Sequence, residues 1–104
     1  MPPIPAEEHL NAAVLVMTAL ENNGVLGVIK TLDVTDITSI VLWYEDRYEV
    51  TLGDTTQLDR KVSMMAGAVA KEGQYKSGYM DASFEIFPNE VYVRRFEENS
   101  GIKN

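Results

Sequence analysis

Hydrophobic and polar positions along this chain change period several times, and each change marks an element. Leu10, Ala13, Val14, Met17 and Leu20 recur at i, i+3, i+4, i+7 and i+10, which predicts one buried face of a helix that begins near Glu7. Glu7 and Glu8 fall in its first turn, where the helix dipole favours negative charge. Asn22-Asn23-Gly24 tolerates positive φ and ends it. Val25 to Val34 is rich in strand-forming residues, and Asp33 to Ser39 reads as a turn whose Asp, Thr and Ser side chains bond backbone amides. Ile40 to Tyr44 is an unbroken β-branched, aliphatic and aromatic run, the pattern of a strand covered on both faces. After a tight turn at Glu45-Asp46 the period becomes two: Tyr48, Val50 and Leu52 face one way, and Arg47, Glu49 and Thr51 face water.

Helical spacing returns from about Thr56 to Glu72. Leu58, Val62, Met65 and Val69 form the buried stripe, Ala66 and Ala68 allow close approach, and Gly73 stops the helix. Asp54 with Gln57, or Thr56 with Asp59, supplies a capping-box start. Tyr79 to Phe84 reads as a strand with Met80, Ala82 and Phe84 on one face. Pro88-Asn89 is a turn, and Val91 to Phe96 is the last strand. Residues 1–6 are proline-rich and read as an extended segment, and 97–104 as a polar tail. The order α-β-β-β-α-β-β over one domain, residues 1–104, predicts an α+β fold with both helices on one face of a mostly antiparallel sheet.

Composition narrows the function classes. Nine basic against 16 acidic residues give a net charge of −7, which repels a nucleic-acid backbone and disfavours anionic lipid. Without cysteine there is no disulfide, zinc-thiolate site or thiol nucleophile. The longest apolar run, Ala12 to Leu20, is broken by Thr18 and falls short of the roughly 20 residues of a membrane span. Met1-Pro2-Pro3-Ile4-Pro5 lacks the basic region and apolar core of a signal peptide, so the chain reads as a soluble protein or a soluble fragment of a longer one.

No grouping of residues looks built for bond-making. His9 is the one histidine and reads as a surface residue in the first turn of the first helix. None of Ser39, Ser63, Ser77, Ser83 and Ser100 sits in a nucleophile elbow. Asp33, Asp36, Asp54 and Asp59 are accounted for by turns and caps. Asp81, a carboxylate inside a predicted strand, points to a structural role in accepting hydrogen bonds, ahead of partner contact and far ahead of metal binding. Gly24-x-x-Gly27 precedes a strand rather than a helix, and the Gly53-Asp54 corner is crowded by acids. Met17, Met65 and Met80 fall on core faces, with Met64 partly exposed. The expectation is a chain that is not an enzyme, with no catalytic residue, cofactor or metal. The last strand stands apart: Val91, Tyr92, Val93, Arg94, Arg95 and Phe96 are aromatic and basic within an acidic protein. As a sheet edge such a segment can accept a strand from another protein, or simply use its arginines against aggregation.

Several pieces of the chain, in their order and spacing, resemble the extracytoplasmic C-terminal domain of the FtsQ/DivIB cell-division family. They are the helix before Leu32-Asp33-Val34-Thr35-Asp36, the Ile40 to Gly53 hairpin with Leu52-Gly53, the next helix with Lys61, and Gly78-Tyr79-Met80-Asp81-Ala82-Ser83-Phe84. The similarity runs from Leu10 to Phe96. It implies a domain of a single-span membrane protein outside the bacterial cytoplasmic membrane, preceded by a cytoplasmic tail, a membrane span and a POTRA domain. It also implies a divisome scaffold in septum formation, binding FtsB/DivIC- and FtsL-type proteins by strand addition beside the last strand. Phe84 and Phe96 match aromatic positions of the family, and with Val91, Tyr92, Val93, Arg94 and Arg95 they make up the implied contact set. The connection Glu85 to Glu90, with Pro88, is longer than the family's tight turn. Two other readings are a small-ligand-binding domain with Trp43 and Tyr44 lining a pocket between helices and sheet, and an enzyme pairing Asp81 with a second carboxylate.

Overall fold

The order of elements follows the changes of period. The computed structural model describes residues 5–73 and 76–96: α1 (Pro5–Asn22), β1 (Ile29–Asp33), β2 (Ile40–Tyr44), β3 (Tyr48–Gly53), α2 (Leu58–Glu72), β4 (Gly78–Asp81) and β5 (Tyr92–Arg95). A short 3-10 turn, Leu26–Val28, occupies the start of the expected first strand. The five strands lie side by side in sequence order. All neighbours are antiparallel except β3 and β4, which run parallel because α2 carries the chain back across the sheet between them.

The core lies between the helices and one face of this sheet. Ile40 and Leu42 of β2, Tyr48, Val50 and Leu52 of β3, and Met80 of β4 are fully buried against Val62 and Met65 of α2 and Val16 and Leu20 of α1. Among the described residues no helix lies over the other sheet face. Val41 and Trp43 are therefore only half-buried, and β2 is covered on one side, not on both as its apolar run suggested. Alternation puts Tyr44 on the helix side and Trp43 on the open side, so the two do not line one pocket.

α1 is turned from the expected face. Ala12, Val16, Ala19 and Leu20 are buried, whereas Leu10 is 64% exposed, Val14 53% and Met17 45%. The helix is apolar almost all round, and the stripe carrying two alanines lets it approach α2 more closely than one lined with Leu and Met. His9 is half-buried rather than exposed. Pro5 and Ala6 are helical, so the extended segment expected over residues 1–6 is contradicted there. Its remainder, residues 1–4, lies outside the described residues, as does the expected polar tail, 97–104. α1 ends in a Schellman motif: Val25 N–H donates to the Leu20 carbonyl (3.0 Å), Gly24 N–H donates to Glu21 (3.0 Å), and Gly24 holds φ at +74°.

A recurring local device closes the loops. In Asp33-Val34-Thr35, Asp36-Ile37-Thr38, Asp54-Thr55-Thr56 and Asp81-Ala82-Ser83, the Asp Oδ1 accepts the backbone N–H two residues on, at 2.8 to 3.1 Å. In the last three it also accepts that residue's hydroxyl, at 2.6 Å. This replaces the expected capping box at α2. Gln57 precedes the helix in a left-handed conformation without a side-chain cap, and Asp54 bonds Thr56 and Lys61 instead.

Candidate functional site

The site implied for Val91 to Phe96 is assembled by sheet order. Among the described residues β5 pairs with β4 alone, in the register Gly78↔Arg95, Tyr79↔Arg94, Met80↔Val93 and Asp81↔Tyr92, and its other side is an open edge. Phe96 N–H donates to the Ser77 carbonyl (3.1 Å) and extends the ladder by one bond. Because Met80 is buried, its partner Val93 faces the helices and packs against the core, and Arg95 follows on that side. Arg95 Nε donates to Glu72 Oε1 on α2 at 2.8 Å, so this arginine ties the edge to the helix. Tyr92 and Arg94 project from the uncovered face.

The strand expected over Tyr79 to Phe84 ends at Asp81, where the Asp81–Ser83 turn leads the chain out of the sheet. Phe84 lies beyond that turn, half-buried and in the left-handed region (φ +65°). It therefore enters the connection to β5 and is not a strand residue. That connection supplies a feature the periodicity passes over. Ile86 is 72% exposed and Phe87 37%, and the Phe87 ring stacks on Tyr92 with centroids 5.1 Å apart at 14°. Tyr92 at 43% and Phe96 at 44% are exposed at the two ends of β5, so the stacked Phe87–Tyr92 pair marks one end of the edge and Phe96 the other. Two large apolar residues inside a turn segment were the available signal.

The sheet's other edge differs. β1 carries a bulge between Ile29 and Thr31 and an exposed Lys30, devices that discourage strand addition.

Other polar groups are engaged in architecture. Arg47, expected to face water, donates through Nη1 to the carbonyls of Gly73 (2.8 Å) and Lys76 (3.0 Å), and its guanidinium lies 5.3 Å from the Tyr48 ring centroid. The Tyr48 hydroxyl is buried without a hydrogen-bond partner among the described residues. Burial pushes its pKa up and Glu72 adds to this, against the pull of Arg47 and Arg95. Asp81, bonded to Ser83, closes a turn. Among the described residues no three His, Asp or Glu side chains converge as metal ligands, and no helix is long and apolar enough to cross a membrane.

Asp54 is the most perturbed carboxylate. Hydrogen bonds from the Thr56 hydroxyl and N–H and from Lys61 lower its pKa from 3.8 to about 2. A folded-state pKa below the unfolded one means a stabilisation present above pH ~4 and lost as pH falls through about 2. Solvent screening at this half-exposed side chain limits it to about 1 kcal/mol. Melting wild type and Asp54→Asn side by side is expected to show the wild type more stable near pH 6. The gap should close between pH 4 and pH 2, and a gap that stayed constant would contradict this assignment.

Comparison of the chain with protein-family models, curated proteins and solved structures finds no match.

Proposed function

We propose that this chain is a non-enzymatic interaction domain that holds a partner by adding the partner's strand to the open edge of β5. The observation that carries this reading is the make-up of that edge. Among the described residues it offers unpaired main-chain groups, with the exposed Phe87–Tyr92 pair at one end and Phe96 at the other, and Arg94 exposed in a chain of net charge −7. Main-chain bonds supply affinity in such docking, and aromatic and Arg side chains are the usual anchors. The family resemblance gives the reading its setting: an FtsQ/DivIB-type scaffold outside the bacterial cytoplasmic membrane, supporting septum formation through FtsB/DivIC- and FtsL-type partners.

Titration with the extracytoplasmic segment of an FtsB/DivIC-type protein tests it. Amide shifts are expected to concentrate on Val91 to Phe96, and Phe96→Ala combined with Arg95→Glu to weaken binding about 100-fold, the loss of two hot-spot contacts. A melting curve controls for the broken Arg95–Glu72 pair. Binding unchanged in the double variant would remove the edge as the interface.

A further inference from the structure

Turned so that Ala12, Val16, Ala19 and Leu20 meet the core, α1 leaves Leu10, Val14 and Met17 exposed on its outer side. Glu7 and Glu21, both exposed, continue that stripe at either end. The steps from Glu7 through Leu10, Val14 and Met17 to Glu21 are three, four, three and four residues, the heptad spacing that keeps one seam turned towards a partner helix. A helix that is apolar all round belongs in an interior, so this seam marks a missing neighbour. Glu21 adds a second sign. It lies in the last turn of α1, where the helix dipole favours cations, and that turn holds no basic residue. Among the described residues neither Glu7 nor Glu21 has an ion-pair partner.

We propose that the outer face of α1 docks one amphipathic helix of a partner protein, whose apolar seam is closed at each end by a Lys or Arg, the two set as far apart as Glu7 and Glu21. Charge identifies the occupant. α1 carries Glu7, Glu8 and Glu21 and no Lys or Arg, so a basic residue opposite each end of the seam completes it. A second copy of this chain does the opposite. Val14 lies midway along the seam, so an antiparallel pair in register sets Glu7 against Glu21 of the second copy, and a parallel pair sets each glutamate against its twin. A shift of one heptad separates the charges but leaves half the seam bare. Lys30, in the groove that Met17 forms with β1, and Arg60, beside Asp59 where Leu15 meets the start of α2, border this band from either side and lie off its line. The bulge and Lys30 of β1 resist strand addition, so at this end of the sheet the fitting ligand is a helix. The inference is independent of the β5 edge and gives the chain two docking surfaces at opposite ends of its strand order.

The test uses the full chain and two synthetic helical peptides of the length of α1, kept below the concentration at which they self-associate. Both carry Leu at the three central seam positions; one has Lys at each end of the seam and its twin has Glu. The Lys peptide is expected to shift the amides of Leu10, Val14 and Met17 and to bind at least tenfold more tightly than the Glu peptide. Glu7→Lys combined with Glu21→Lys is expected to invert that preference. Both positions are exposed, so the double variant should keep the wild-type amide spectrum outside α1, and its binding at β5 should be unchanged. Equal affinity for the two peptides, or shifts away from α1, would overturn the proposed occupant. No binding of the Lys peptide would remove α1 as a docking face and leave the edge reading standing. Shifts at α1 on concentrating the protein alone, with a dimer in sedimentation, would assign the seam to a second copy and overturn the proposal. Shifts at α1 with phosphatidylcholine vesicles but with neither peptide would assign it to a lipid surface and overturn it equally.

Discussion

Gly78→Ala is expected to loosen β5 from the sheet. A Cβ at position 78 would lie 2.7 Å from Arg95 Cα and press on the Arg94 carbonyl as well. Both obstacles are backbone, so no rotamer change relieves them, and the strand must move. β5 is held to β4 by a four-residue ladder, with Val93 its inward-facing anchor. The expected cost is about 2 kcal/mol, or a melting temperature lower by roughly 10 °C for a domain of this size. The distribution of the effect is the sharper test. Amide exchange at Tyr92 to Arg95 should accelerate far more than at Leu42 or Val50, because local opening replaces global unfolding as the route for exchange. Uniform acceleration across β2, β3 and β5, or none, would show that β5 is not separately held.

Lys61 carries the second large effect. Its side chain is 1% exposed, the most deeply buried charge among the described residues, and Nζ donates to the Asp54 carbonyl (3.2 Å) and to Asp54 Oδ1 (3.1 Å). Its methylene stem is buried along with Leu58 and Val62 of the same helix, while its ammonium pins the corner between β3 and α2. Lys61→Ala removes both and is expected to cost about 3 kcal/mol, at roughly 0.8 kcal/mol per buried methylene plus the lost hydrogen bonds. Lys61→Met keeps most of the stem and should cost only about 1 kcal/mol, since Asp54 remains half-exposed and can turn to water. Urea midpoints of the two variants separate packing from pairing. Equal losses would mean that the ammonium, not the stem, does the stabilising.

Where one physical signal dominated, the elements were legible. β2 follows its apolar run to the residue, and β3 its strict alternation; α2 follows a single apolar stripe, Leu58, Val62, Met65 and Val69, all buried. Where two signals competed, reading was harder. α1 offers two apolar stripes, and only the surface of α2 decides between them. β4 stops at Asp81 because a side chain accepts bonds the ladder would otherwise continue, and the same Asp-x-Ser/Thr spelling occurs at three other corners. At the candidate site, the basic and aromatic character of Val91 to Phe96 stands out in the sequence. Its edge position depends on strand order, and Phe87 becomes relevant only once the fold brings its ring onto Tyr92.

The parallel pairing of β3 with β4 sets the order in which this molecule can complete itself. β1, β2 and β3 form a meander of short turns, whereas β4 reaches β3 only across the loop that α2 fills, and among the described residues β5 is attached to the sheet through β4 alone. Closing that long loop costs chain entropy before any contact repays it. The β4–β5 pair is therefore the part of the sheet whose attachment carries that long-loop cost, and a ligand gripping β5 would favour molecules in which the loop has closed. By mass action the same ligand deepens the folded well from its weakest end.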